Sequence, residues 1–141
     1  VEKEIATNTN VFKYLSNQFK DEKLKLLKRK GIFPYDYLDS LDRFNEDKLP
    51  SKEAFYNRLQ NTNVSDEDYK HAQNVLNTFK MKTFGDYHDL YLKTDVLLLT
   101  DIFENFRSLC LDYNKLDPVH YYGTPGIAWA ACLKMTKIYY R

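Results

Sequence analysis

Cysteine is scarce in this sequence: only Cys110 and Cys132 occur, with no Cys-x-x-Cys pair and no secretory leader in view. That argues against a disulfide framework and against a thiolate zinc site, so both thiols are expected reduced in an intracellular protein. Glycine and proline number four each, too few to build a flexible interdomain linker, and no internal repeat or low-complexity tract appears. No apolar run, Val96 to Leu99 included, comes near the roughly 20 residues that span a bilayer, so a soluble chain without a membrane partner is expected. Neither sign of charge dominates. With 21 Lys and Arg against 20 Asp and Glu, a net charge of +1 gives no global attraction to nucleic acid, and any such contact must be local. The chain opens at Val1 rather than Met and stops at Arg141 just after Ile138, Tyr139 and Tyr140, without a polar tail, and reads as an excerpt of a longer protein.

What is abundant is apolar and aromatic. Of 141 residues, 43% are hydrophobic and 29% charged, which suits a globular domain with its own core, and the 12 Tyr and 9 Phe are expected to fill that core first. The periodicity is mostly helical. Val11, Phe12, Tyr14, Leu15 and Phe19 share a face after Asn10, Leu24 and Leu27 continue the rhythm, and Gly31 is expected to end that helix. Residues 31–50 follow neither helical nor strand period and are read as irregular, with at most a short strand. Ser65 and Asp68 form a capping box ahead of Tyr69, Ala72, Val75, Leu76 and Phe79. Thr83 and Asp86 repeat the arrangement before a long helix to about Tyr113, apolar enough to expect burial on more than one side. Asp117-Pro118 and Thr124-Pro125 each pair an N-cap residue with proline at the first helical position and predict two further short helices.

Inside the long helix lies Tyr91-Leu-Lys-Thr-Asp95. Four-residue spacing sets the two side chains on one face, with Cβ atoms about 5–6 Å apart, so that a phenol and a carboxylate can address one metal-bound water. The spacing alone fits equally a packed ring beside a solvated acid.

The surrounding run, Asp86-Tyr-His-Asp-Leu-Tyr-Leu-Lys-Thr-Asp-Val-Leu-Leu-Leu-Thr-Asp-Ile-Phe-Glu-Asn-Phe-Arg107, resembles the third exonuclease motif of protein-primed family-B DNA polymerases, especially those of Maverick/Polinton elements and related viruses. Lys30-Gly-Ile-Phe-Pro-Tyr-Asp-Tyr-Leu-Asp-Ser40, Leu49-Pro-Ser-Lys-Glu-Ala-Phe-Tyr56, Ser65-Asp-Glu-Asp-Tyr69 and Leu116-Asp-Pro-Val-His-Tyr-Tyr122 resemble the same family in the same order. The resemblance runs from about Leu24 to Thr136. It implies that residues 1–113 are the C-terminal part of a 3′–5′ exonuclease domain and that 114–141 lead into the polymerase palm. Asp95 would be a metal-binding carboxylate and Tyr91 the phenol that orients the attacking water. Lys30 would contact the scissile phosphate, and Tyr35 would help place the primer 3′ end on the DNA-binding surface. From the residues alone, Lys30 is a solvated end to the basic run Lys23, Lys25, Lys28, Arg29, and Tyr35 is a core ring.

The resemblance further implies Mg²⁺ or Mn²⁺ as cofactor of the complete enzyme. Its partners would be DNA, as a single-stranded 3′ end or a primer-template, together with a terminal protein and the rest of the polymerase chain. The remaining exonuclease carboxylates of the family lie upstream, and its polymerase aspartates lie beyond Arg141. One departure stands out: family members commonly carry Asp directly after the Trp that matches Trp129, where this chain has Ala130. Trp129, among Ile127, Leu133 and Met135, is read as core. His71, His88 and His120 lack metal-ligand spacing. The other acids, among them Asp36, Asp39 and Asp101, are read as surface charges. The fold expected for this piece is mainly α, within a parent domain that is α/β and RNase H-like. Nucleus, virus factory and organelle all stand open as the site of action. Two other classes of function also stand: a catalytically inactive, domesticated or decaying remnant acting as a DNA-binding or interaction module, and a helical interaction protein with no nucleic-acid role.

Overall fold

The computed structural model describes residues 11–59 and 61–137. Asn10, the expected start of the first helix, lies outside the described residues, as does the apolar ending Ile138, Tyr139 and Tyr140. The described residues form five α-helices: α1 Lys13–Gln18, α2 Asp21–Leu27, α3 Asp66–Thr78, α4 Phe84–Asn114 and α5 Gly123–Thr136. Among the described residues no strand forms, only an isolated antiparallel bridge between Asn57 and Thr62. The piece is mainly α, as its periodicity predicts. No described helix is long and apolar enough to cross a membrane. Packing divides the chain within α4, into a unit up to Leu99 and a unit from Thr100 onward, a different place from the 113/114 boundary that the resemblance implies.

In the first unit, the single helix expected up to Gly31 is two short ones. Phe19 and Lys20 are extended between them, and α2 ends at Leu27 with Lys28 as its cap. Packing explains the break. Phe12, Leu15 and Leu27 form one buried cluster, whereas a continuous helix would hold Leu15 and Leu27 about 18 Å apart along its axis. Residues 31–56 are irregular, as expected, with 3₁₀ turns at Tyr35–Tyr37, Leu41–Asn45 and Lys52–Phe55. Polar side chains brace this stretch: Arg43 reaches Asp39 at 3.1 Å and Glu46 at 3.0 Å, and Tyr37 Oη donates to Glu46 at 2.6 Å.

Both predicted N-caps form, and the second closes into a reciprocal box. Ser65 Oγ accepts the Asp68 N–H at 3.1 Å at the start of α3. At the start of α4, Thr83 Oγ1 accepts the Asp86 N–H at 3.1 Å, while the Asp86 carboxylate accepts the N–H groups of Lys82 and Thr83. Those backbone donors hold the Asp86 carboxyl below the usual carboxylate range. Immediately behind this cap sits the main core of Phe33, Ala72, Val75, Phe84 and Tyr87. Phe84 is fully buried, stacked 5.6 Å from Phe33, and Tyr87 Oη donates to the Ile32 carbonyl at 2.7 Å. Gly85 packs closely here: a Cβ on it would lie 3.0 Å from the Phe44 carbonyl oxygen.

The second unit is braced by ion pairs of Arg107 with Asp117 and, at 3.3 Å, with Glu104. Arg107 engages both carboxylate oxygens of Asp117, its shortest bond being 2.7 Å, and Asp117 also caps the predicted turn Pro118–His120 by accepting the Val119 N–H. Lys134 donates to the carbonyls of Asn114 and Lys115, so a cation from α5 sits where the α4 carbonyls run out. Four expectations need correction. α5 begins at Gly123 with Tyr122 as its N-cap, so Thr124 does not cap it and Pro125 lies at its third position, still where a missing N–H costs nothing. Trp129 is 58% exposed rather than core. Asp101 is 1% exposed rather than a surface charge, because it continues the 87, 91, 94, 98 spacing that defines the buried face of α4. Finally, α4 is not buried all round, since Leu92, Leu99 and Ile102 remain about half exposed or more.

Candidate functional site

The capping box fixes the start of α4 and thereby the rotation of Tyr91 and Asp95, two turns and more downstream. Tyr91 faces the irregular segment. Its ring stacks on Phe33 with centroids 5.0 Å apart, and its hydroxyl meets the Tyr35 hydroxyl at 2.7 Å, a partner 56 residues earlier in the chain. The Gly31 backbone lies against the same ring, where a Cβ would stand 3.4 Å from Cδ2. The segment that carries Lys30, Gly31, Phe33 and Tyr35 therefore wraps Tyr91 from two sides.

Of the four residues singled out in the sequence, Tyr35 and Tyr91 are in direct contact. Asp95 lies one helical turn from Tyr91 and is exposed. Lys30 is exposed beside Gly31 and forms no ion pair among the described residues. Burial, then the hydrogen bond with Tyr35, then the charges of neighbours including Asp95 push the Tyr91 phenol well above its ordinary pKa. It is a neutral hydroxyl near pH 7, able to orient a water or a phosphate oxygen but not to act as a base. Tyr35 is 67% exposed, so it can give up that hydroxyl contact to water at small cost.

Hydrolysis by two metal ions needs several carboxylates to hold ions about 3.5–4 Å apart. Among the described residues no group of three or more His, Cys, Asp or Glu is placed to hold a metal. Asp95 is a single donor, so the residues present do not by themselves fit the metal pair that the resemblance implies.

Beneath Tyr91 lies a cavity of about 30 Å³ lined by Leu26, Gly31, Tyr87, Tyr91, Thr94 and Asp95 among others, room for a water or two. Thr94 is 6% exposed, and its hydroxyl has no hydrogen-bond partner among the described residues. Sequence reasoning passed over Thr94, although the helical series 87, 91, 94, 98 places it on the inward face. His71 also borders the cavity. Burial first, then the Arg29 charge, hold its imidazole below the usual value, and Arg29 itself pairs with Asp68. The basic run Lys23 to Lys30 does not form one patch: Lys23 lies over the Phe79 ring at 5.0 Å, Lys28 over Phe12 at 5.6 Å, and Arg29 is engaged by Asp68.

Compared with models of protein families, with curated proteins and with solved structures, the chain matches none.

Proposed function

We propose that this chain is part of a protein-primed family-B DNA polymerase and contributes one wall of its 3′–5′ proofreading exonuclease. The observation that carries the reading is the convergence of Tyr35 on Tyr91 beside Asp95. These residues belong to separate matching segments of the sequence, and a chance likeness in each segment would give no reason for them to meet. In this reading Asp95 is one carboxylate of a Mg²⁺ or Mn²⁺ site whose other donors come from the rest of the polymerase chain. Tyr91, neutral and held by Tyr35, presents its hydroxyl toward the reacting phosphate. Tyr35, exposed at the rim, meets the single-stranded 3′ end, and Lys30 offers it a cation. The terminal protein and primer-template are partners of the whole enzyme.

A lone carboxylate does not hold two metals against water, so the chain by itself is expected to be catalytically silent as nuclease and as polymerase. The test incubates a labelled single strand with the purified chain and Mg²⁺ or Mn²⁺, beside an Asp95→Ala variant. Silence in both, followed by nuclease activity when the upstream exonuclease segment is added back to the parent chain but not to Asp95→Ala, supports the reading. Silence that persists after add-back favours an inactive remnant. Degradation by the isolated parent chain that vanishes in Asp95→Ala refutes the split site.

A further inference from the structure

A second surface of the first unit lies away from the Tyr91 hydroxyl. Between α1, the end of α3 and the first turns of α4 runs an open groove of about 490 Å³, bordered by Phe19, Phe79, Lys80, Lys82 and Lys93. Phe19 and Phe79 form its floor, edge to face with centroids 5.9 Å apart. Both rings are partly accessible, and each carries an ammonium group above it: Lys23 over Phe79 at 5.0 Å and Lys93 over Phe19 at 5.5 Å. None of Lys23, Lys80, Lys82 and Lys93 forms an ion pair among the described residues.

Two carboxylates also border the groove. Asp86 is committed to the backbone N–H groups of Lys82 and Thr83, and Asp89 sits against His88. With Lys23, four cations thus outnumber the two acids along this groove. In a chain of net charge +1 this is a local concentration of unpaired positive charge. The sequence hides it, because Lys23 is some 60 residues from Lys80 and Lys82, and Lys93 stands alone on α4.

We propose that this groove binds the phosphate backbone of single-stranded nucleic acid. Lys80, Lys82 and Lys93 would meet successive phosphates, and the Phe19 and Phe79 rings would offer a face to a base once their ammonium groups turn to the backbone. A basic groove with an aromatic floor is the physical requirement for such binding. A flat anionic membrane does not enter a concave groove, and Met81 and Leu90, the other apolar residues that border it, are only partly exposed. The inference rests on the groove and not on the exonuclease reading, and it is tested without metal so that the two fail separately.

The experiment measures fluorescence anisotropy of a labelled oligo-dT with the full chain in EDTA across a salt series. It compares a groove variant (Lys80→Gln, Lys82→Gln, Lys93→Gln) with a control that loses the same charge elsewhere (Lys25→Gln, Lys48→Gln, Lys70→Gln). Three phosphate contacts at about 0.7 each predict that the slope of log affinity against log salt falls by about 2 in the groove variant, with affinity down about tenfold or more at low salt. The control is expected to change by less than about threefold. Phe19→Leu, with every charge kept, is expected to weaken oligo-dT severalfold. Equal losses in groove and control variants overturn the proposal. So does groove-dependent binding to phosphatidylserine vesicles with no groove dependence for oligo-dT. If circular dichroism shows the triple variant unfolded, Lys80→Gln alone serves, with a slope loss of about 0.7 expected and no loss overturning the proposal.

Discussion

Replacing Thr94 by valine removes one buried oxygen and keeps the shape of the side chain. Thr94 is 6% exposed, and its hydroxyl finds no partner among the described residues. A buried hydroxyl left unmatched costs about 1–3 kcal/mol. The two residues differ little in helix propensity, and the added methyl faces the cavity of about 30 Å³ rather than a closed wall, so overpacking does not offset the gain. Thr94→Val is therefore expected to stabilise the fold by about 1–2 kcal/mol. With a urea dependence of about 2 kcal/mol/M, that moves the midpoint up by roughly 0.5–1 M. Far-UV circular dichroism in a urea titration at pH 7 measures it, with Thr94→Ser as the companion variant that keeps the oxygen and loses a methyl. A destabilised Thr94→Val refutes the reasoning. It would mean that the hydroxyl is matched after all, by an ordered water in the cavity whose bond the valine abolishes.

Further outcomes follow from the same core. Phe84→Ala is expected to cost about 3–5 kcal/mol, because the ring is fully buried against Phe33, Phe44 and Tyr87; equilibrium denaturation checks it. Gly85→Ala sets a Cβ 3.0 Å from the Phe44 carbonyl oxygen, an atom of backbone that cannot rotate away, and is expected to destabilise despite alanine's better helix propensity. A variant as stable as the parent would show that the 41–45 turn yields freely. Burial raises the pKa of Tyr87, and it is the first cause of the rise at Tyr91. The unfolded chain therefore releases these protons first, and stability is full below about pH 10 and falls above it. Urea midpoints at pH 8 and pH 11 test this. Tyr87→Phe is expected to lose less between those values, while being weaker at pH 8 through the unpaired Ile32 carbonyl.

The helices that depend on local signals were legible in the sequence. Ser65 with Asp68 and Thr83 with Asp86 announced α3 and α4, and the irregular stretch after Gly31 was marked by the failure of either period. Contacts set over long distance were not. The break at Phe19 and Lys20 follows from bringing Leu15 to Leu27, and no residue there is a helix breaker. Gly31 looked like a helix stop because a glycine near the end of an apolar rhythm usually is one; the helix ends earlier, at Leu27, and Gly31 lies against the Tyr91 ring. For the candidate site, spacing set Tyr91 and Asp95 on one face, but only the resemblance singled them out as a site. Their company with Tyr35 came only from the resemblance, since nothing local couples residues 56 apart. Thr94 and Asp101 escaped because polar residue types were read as solvated, when their place in the helical series set them facing inward.

The exposed position of Trp129 decides what an optical experiment on this protein can see. It is the chain's one tryptophan and belongs to the second unit, whereas the Tyr91 face, the aromatic core and the lysine groove all belong to the first. Excited selectively, the indole is a reporter in a separate compartment. Being 58% in water already, it starts with emission near that of the free side chain and has little further to shift when the fold opens. Melting of the core around Phe84 would pass largely unseen in that channel, while tyrosine absorbance would register it. A tryptophan placed in the first unit would make the two halves separately visible.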